Sequence, residues 1–211
     1  MKESKKEALI KFHRDNIIDG AEKLFFKNGV ENTSMDDIAR ESGYSKATLY
    51  VYFKNKDEIV SSITLLGMKI FLNIVRECVN QKADFKSQYF ALCYALVDFQ
   101  NKHPFYYENI LSDINVDIEL EETPKIYHEI YDIGVMINNE VLEMFQNGVA
   151  QGAIRDDLIL PQVSLIYWAS ISGIIGVSNK KDKYITKCLD IAQKNFIKYG
   201  FELLYQSIQV L

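Results

Sequence analysis

TSMDDIARESGYSKATLYVYFKNK, running from Thr33 to Lys56, reads as two short helices joined by a tight turn. Ser34 and Asp37 are spaced as a capping box, with a hydroxyl for an orphan amide and a carboxylate at the positive end of the helix. Ile38 and Ala39 are the inward positions of the first helix. Gly43 follows where a helix end needs a left-handed residue. Ser45 is a second N-cap, and Leu49 and Phe53, four apart, supply the buried side of the second helix. Small Ala39 lets the two helices cross closely, Gly43 makes the bend and Leu49 fills the angle. That is the construction of a helix-turn-helix.

With Leu49 and Phe53 turned inward, Lys46, Thr48, Tyr50 and Tyr52 stay outside, and Lys54 and Lys56 follow. Ser45 to Lys56 contains three lysines and no carboxylate. Hydroxyls, phenols and ammonium groups suit phosphate oxygens and base edges. An ordinary pair of crossed helices with a solvated face would show the charges alone. Caps, small residue, glycine, plug and cationic face together point to DNA.

From about Asp15 to Lys56 the chain resembles the DNA-binding domain of the tetracycline-repressor (TetR) family of transcriptional regulators. The matching pieces are AEKLFFKNG (Ala21 to Gly29), TSMDDIARESGYSKATLYVYF (Thr33 to Phe53) and the helix opener KNKDEI (Lys54 to Ile59). Thr48-Leu49-Tyr50-x-Tyr52-Phe53 is the most diagnostic of them. The resemblance implies an all-α protein. A three-helix DNA-binding domain would occupy residues 1–55, and a larger helical ligand-sensing and dimerisation domain residues 56–211. It implies a homodimeric regulator, most often a repressor, released from a near-palindromic operator by a small-molecule effector. The DNA-binding set it assigns is Ser34, Met35, Ser45, Lys46, Ala47, Thr48, Tyr50, Tyr52 and Lys56. Ser34 and Met35 would lie near phosphate, Lys46, Ala47 and Thr48 would face base edges, and Tyr50, Tyr52 and Lys56 would hold the backbone. Family members differ most around Lys46, so no base preference carries over.

Charge qualifies this picture. Residues 1–60 contain 11 Lys and Arg against 11 Asp and Glu, so the formal charge of −5 lies wholly in residues 61–211. The DNA-binding third is neutral, a mild departure from expectation, and weak non-specific binding follows. Apolar residues make up 48% of the chain, and three prolines and ten glycines leave few helix breakers. Cys78, Cys93 and Cys188 have neither metal-ligand spacing nor a disulfide framework and read as reduced, mostly buried thiols. MKESKKEALIKFHR has no apolar core of signal-peptide length, so a cytoplasmic protein is expected, with no cofactor. HExxH, GxSxG, GxGxxG and P-loop motifs are missing, which leaves an α-helical enzyme without machinery. A helical ligand-binding or interaction module without operator binding is the remaining alternative.

Along the chain, residues 1–14 hold five Lys and Arg against two Glu and read as a frayed terminus, a helix extension or a phosphate-touching arm. Helix one is expected from about Asn16 to Asn28, with Ile17, Ala21, Leu24 and Phe25 on one face. Asn55 and Glu58 open a fourth helix from Lys56 into the seventies, on Ile59, Val60, Ile63 and Leu66. In the family this helix joins the two domains. Gly67 inside it marks a bend or a close contact. A helix over Ser87 to Lys102 is predicted with Phe90, Ala91, Tyr94 and Val97 inward, then a short one over Phe105 to Leu111. His103 and His128 read as ordinary helix residues.

Residues 103–124 contain six carboxylates and no Lys or Arg, and Ile114 to Leu120 alternates like a strand. A surface loop, a helix and a strand paired across a dimer axis all remain open for residues 112–123. Pro124 to Gln151 is a long helix on Ile126, Ile130, Ile133, Ile137, Val141 and Met144. Gln162 to Asn179 is apolar nearly all round, which predicts burial on every side. Its run is short of a membrane span. A last helix over Asp182 to Ser207 carries Ile185, Leu189, Ala192, Phe196, Tyr199 and Leu203 on one stripe. This C-terminal pair has more apolar surface than one core absorbs, which suggests a subunit interface. The residues assigned to it are Ile166, Ile174, Ile175, Leu189, Phe196 and Leu203. Tyr94, Tyr106, Tyr107, Tyr127, Tyr131, Tyr167 and Trp168 are the candidates to line an effector pocket.

Overall fold

Capping signals and helical periodicity recur throughout the chain, and a computed structural model, which describes residues 2–80, 83–111, 120 and 123–210, is built of helices. In order these are α1 (Lys2–Asn28), α2 (Met35–Glu41), α3 (Lys46–Tyr52), α4 (Lys56–Val79) and α5 (Phe85–Lys102). They continue with α6 (Pro104–Leu111), α7 (Lys125–Ala150), α8 (Leu160–Lys180), α9 (Asp182–Lys187) and α10 (Gln193–Ile208). Among the described residues there is no strand, only one antiparallel bridge between Ile154 and Gln209. The alternating segment before Leu120 lies outside the described residues.

The chain forms two compact units. The first comprises Met1–Lys69 with His103–Tyr131, and the second Ile70–Lys102 with Asp132–Leu211. In the first, Ile17, Ala21 and Phe25 of α1 bury against Ile38 and Ala39 of α2 and Leu49 of α3, while Ile59 and Ile63 of α4 complete the core. Phe25 meets Phe105 of α6 at 5.5 Å between ring centroids, and the Tyr106 hydroxyl donates to Glu22 at 2.8 Å. Gly67 proves to be a close contact: a Cβ there would stand 2.9 Å from that of Tyr106.

The second unit is aromatic at its centre. Phe85, Tyr89 and Phe99 of α5, Phe145 of α7 and Phe201 of α10 are all buried, and the Tyr89 hydroxyl donates to the Phe201 carbonyl at 3.1 Å. Gly148 of α7 is the seat of the Phe85 ring, whose nearest carbon would lie 2.6 Å from an added Cβ. Buried Cys93 has its thiol pushed up to about 12 by desolvation, which keeps it protonated and unreactive. Cys78 is also buried and Cys188 exposed.

Several expectations need correction. Helix α1 begins at Lys2 and not near Asn16, so the basic segment is a helix extension. On α5 the buried stripe is Tyr89, Leu92, Cys93, Leu96 and Phe99, with Tyr94 exposed. That is one residue, about 100°, away from the predicted stripe, because α5 is apolar on both of these faces and its sequence admits either register. The final helix is broken: α9 ends at Lys187, and Asp190 takes φ 52°, left-handed backbone that an aspartate tolerates. In α10, Ile197, Phe201, Tyr205 and Ile208 face the core, while Tyr199 and Leu203 of the predicted stripe are exposed. Nor is α8 buried on every side, since Leu165 and Ile166 are 63% and 58% exposed. By length and composition alone α4 and α8 could each cross a membrane; on α4, Ile59, Ile63, Phe71 and Val75 are buried within the protein.

Gly148→Ala forces the Phe85 ring from its seat. The expected cost is about 1–3 kcal/mol, seen as a fall of roughly 3–10 °C in the melting temperature followed by circular dichroism. An unchanged midpoint would show that the core yields at this point.

Candidate nucleic-acid interface

Seven residues make a helix too short to persist alone, so α3 depends on its caps and its packing. The Ser45 hydroxyl accepts from the Thr48 amide at 3.1 Å, and Leu49 and Phe53 are 0% and 1% exposed. Before it, α2 opens with both bonds of a capping box. Ser34 Oγ accepts from the Asp37 amide at 3.2 Å, and the Asp37 carboxylate accepts from the Ser34 amide at 3.1 Å. The Ser34 hydroxyl also donates to the Asp37 carboxylate at 2.5 Å, and this bond and the one from the Ser34 amide hold that carboxyl below its ordinary value, with Arg40 adding to the effect. Gly43, at φ 75°, lets the chain leave α2, and the Tyr44 amide closes the turn on the Ala39 carbonyl at 2.8 Å.

Arg14 of α1 is the main brace, and its role gave no sequence signal. Its guanidinium lies 4.0 Å from the centroid of the Phe53 ring. It donates to the Tyr52 carbonyl at 2.5 Å, Glu58 at 3.3 Å and Ser62 at 3.2 Å. Neighbouring His13 bonds the Tyr44 hydroxyl at 2.7 Å and lies 5.2 Å from the Tyr52 ring. One turn of α1 thereby holds the inter-helix turn, the end of α3 and the start of α4.

The candidate DNA-contacting residues divide into free and engaged groups. Ala47 is exposed, Tyr50 is 46% exposed, and Thr48 and Tyr52 are half-buried. Ser34 and Ser45 are exposed caps, and Met35 is half-buried. Lys46 is exposed, yet its ammonium pairs with Asp36 of α2 at 2.8 Å, and that hydrogen bond raises its pKa. Lys56 turns back to donate to the carbonyls of Val30 at 2.6 Å and Thr33 at 3.1 Å. Of the three lysines after Ser45, then, one shares its charge with a carboxylate from the preceding helix and one ties α4 to the loop after α1. The Asp36 partnership crosses the turn and is invisible in a count confined to one helix. Val51, 77% exposed on the outer side of α3, was missing from the expected set.

The aromatic candidates for an effector pocket are placed as follows. Tyr106 and Tyr107 are buried in the first unit, Tyr127 has its hydroxyl 3.1 Å from Ser61 Oγ, and Tyr131 is exposed. In the same unit a cleft of about 680 Å³ has Tyr127, Arg14, Ser62 and Leu65 among its lining. In the second unit Tyr94 is exposed, the buried Tyr167 hydroxyl donates to the Leu204 carbonyl, and Trp168 lies 5.3 Å from the Phe71 ring. Of the interface candidates, Ile166, Leu189 and Leu203 are exposed and Ile174 and Phe196 half-buried. Ile175, 1% exposed, lies inside its own unit and presents nothing to a partner. Among the described residues no cluster of three His, Cys, Asp or Glu side chains comes together.

Residues 17–63 match the family described as bacterial regulatory proteins, tetR family. The chain is 25% identical over 133 residues to the uncharacterized HTH-type transcriptional regulator YhgD of Bacillus subtilis, covering 63% of this chain and 61% of that protein. It is 25% identical over 138 residues to the biofilm operon icaADBC HTH-type negative transcriptional regulator IcaR of Staphylococcus epidermidis, covering 63% of this chain and 69% of that one. Against several further curated relatives the match spans about two fifths of their length. The TetR family transcriptional regulator PfmR from Thermus thermophilus shares the fold, with TM-score 0.68 at 20% identity, covering 90% of this chain and 97% of that one.

Arg14→Ala removes the guanidinium from three acceptors and from the Phe53 ring. We expect a loss of about 2 kcal/mol and a fall of roughly 4–8 °C in the melting temperature. Arg14→Lys should recover less than half of it, because one ammonium cannot span all three acceptors and stack.

Proposed function

We propose, from the premise that the chain belongs to the tetR family of bacterial regulatory proteins, that it is a DNA-binding transcriptional regulator acting in the cytoplasm. In this reading it is a repressor that leaves a near-palindromic operator when a small-molecule effector binds. The observation that carries this is the outer side of α3. Lys46, Ala47, Tyr50 and Val51 are exposed while Leu49 and Phe53 are buried, so the helix offers its polar and small side chains to a groove. A homodimer would set two such helices roughly 34–36 Å apart in successive major grooves.

Support for the dimer comes from the second unit. Leu165, Ile166 and Val177 of α8 and Tyr199 and Leu203 of α10 are exposed. Large exposed apolar patches mark interaction sites, and a second copy of the same helix pair is the partner we assign. Effector sensing belongs in this reading to the helical domain of residues 56–211, where Phe71 lies 5.5 Å from Phe99 and 5.3 Å from Trp168. A coupling of about 1–3 kcal/mol between effector and operator would change affinity several-fold to a hundredfold.

Lys46→Ala with Tyr50→Ala is expected to abolish operator binding in a gel-shift titration while leaving helix content unchanged. Retained binding would overturn the assignment of α3, whereas failure of the wild-type chain to select any sequence from random DNA would favour an interaction module without operator binding. Ile166→Glu with Leu203→Glu should yield a monomer in sedimentation velocity. Its operator affinity should fall at least about tenfold as the second half-site contact is lost. A persistent dimer would move the interface elsewhere.

A further inference from the structure

The outermost ridge of α3 has no hydrogen-bonding side chain. At 100° per residue, position 51 stands about 160–200° round the helix from Leu49 and Phe53, the two buried positions. Val51 accordingly has the highest fractional exposure, 77%, of the exposed large apolar side chains among the described residues. Exposed Ala47 lies one turn before it on the same ridge. Lys46 and Tyr50 flank the ridge on one side, Thr48 and Tyr52 on the other. Any groove that receives α3 with its buried side away from the DNA meets this apolar ridge first.

The cation of α3 is restrained. The Lys46 ammonium is held 2.8 Å from the Asp36 carboxylate, which also sets a negative charge beside the base-reading surface. A β-branched residue such as Val51 is unfavourable on the exposed face of a short helix, both for helix propensity and for hydration. What it offers in exchange is an apolar contact. In the major groove a base pair presents one apolar group to an approaching side chain, the 5-methyl of thymine. Residues four apart on a helix are displaced by about 6 Å along its axis, so Ala47 and Val51 sample neighbouring base pairs and not one alone.

We infer that Ala47 and Val51 form an apolar ridge reading thymine 5-methyl groups, and that each operator half-site carries a thymine whose methyl packs on Val51. The inference rests on the operator-binding reading above and adds its chemical basis of specificity. It assigns Val51 a specificity-determining role that polar and cationic residues alone would not suggest.

The test uses the full chain and an operator enriched by it from random double-stranded DNA. Each thymine of the half-sites is replaced in turn by deoxyuridine, which deletes only the methyl, and the dissociation constant is read by fluorescence anisotropy. At one or more symmetric positions the wild-type protein should bind about three- to fivefold more weakly per methyl removed, the effect of losing one buried carbon. Val51→Ala should bind the thymine operator correspondingly more weakly, and its deoxyuridine penalty at those positions should fall to about 1.5-fold or less. Because Val51 is 77% exposed and alanine has the higher helix propensity, this variant should melt at or slightly above the wild-type temperature. Wild-type affinity that ignores every deoxyuridine, or a penalty undiminished in Val51→Ala, overturns the inference while operator binding stands. Failure of any sequence to enrich, with binding to DNA unaffected by the paired Lys46 and Tyr50 substitutions, overturns the operator-binding reading and this inference with it.

Discussion

Burial of Leu49 and Phe53 is the constraint from which the recognition surface follows. Seven residues cannot stay helical on their own strength, and α3 lacks a basic residue in its last turn to complement its dipole. Its geometry is imposed from beneath, by Leu49 set against α1 and α2 and by Phe53 lying under the Arg14 guanidinium. Once those two side chains are fixed, every other azimuth of the helix is fixed too. Lys46 and Tyr50 fall on one flank, Thr48 and Tyr52 on the other, and Ala47 with Val51 on the crest. Side-chain identity on the exposed face is not constrained by this anchor.

Electrostatics on this surface are quieter than the residue types imply. A stretch with three lysines and no carboxylate looks strongly cationic. In the folded unit Asp36 reaches across the turn to Lys46, and Lys56 is drawn into the carbonyls of Val30 and Thr33. Phosphate attraction is the main source of sequence-independent affinity. In the proposed regulator a head of this kind must obtain more of its binding from close fit and from contacts to base edges. Weak non-specific attraction then sharpens discrimination, since competing sites hold the protein less firmly.

How much of this was legible in the sequence depended on whether the cause was local. Caps at Ser34 and Ser45, the left-handed Gly43 and the Leu49–Phe53 spacing involve neighbours within four residues, and α2 and α3 begin and end where those signals place them. The contact at Gly67 was visible only as an unusual glycine, because its cause, the Tyr106 side chain, lies about forty residues away in sequence. On α5 the stripe was misread by one position, since apolar side chains stand on both sides of the helix, Phe90, Tyr94 and Val97 on one and Tyr89, Leu92, Cys93 and Leu96 on the other, and periodicity alone does not choose between them. The break between α9 and α10 had no glycine or proline to announce it, and Asp190 adopts the left-handed backbone without either. For α8 the apolar residues were counted correctly, but periodicity reports how much surface must leave water and says nothing of which chain covers it. Among the described residues no element of their own unit covers Leu165 and Ile166, and both stay exposed.

The braces inside the first unit also limit how a signal can act on the proposed DNA-reading head. Arg14 bonds the last carbonyl of α3 and two side chains of α4's first turns at once, while Glu58 accepts from the Lys54 amide at 2.8 Å and Lys56 holds the loop that precedes α2. A rotation of the start of α4 therefore cannot leave α3 behind without breaking several charge-assisted bonds together. Sliding α3 within its own unit would also withdraw Leu49 and Phe53 from full burial, a loss of several kcal/mol by area. That exceeds the coupling of about 1–3 kcal/mol that an effector usually supplies. In the proposed repressor the economical response is to displace each head as one piece, so that two intact α3 helices lose their shared register on the operator while each remains competent for a half-site.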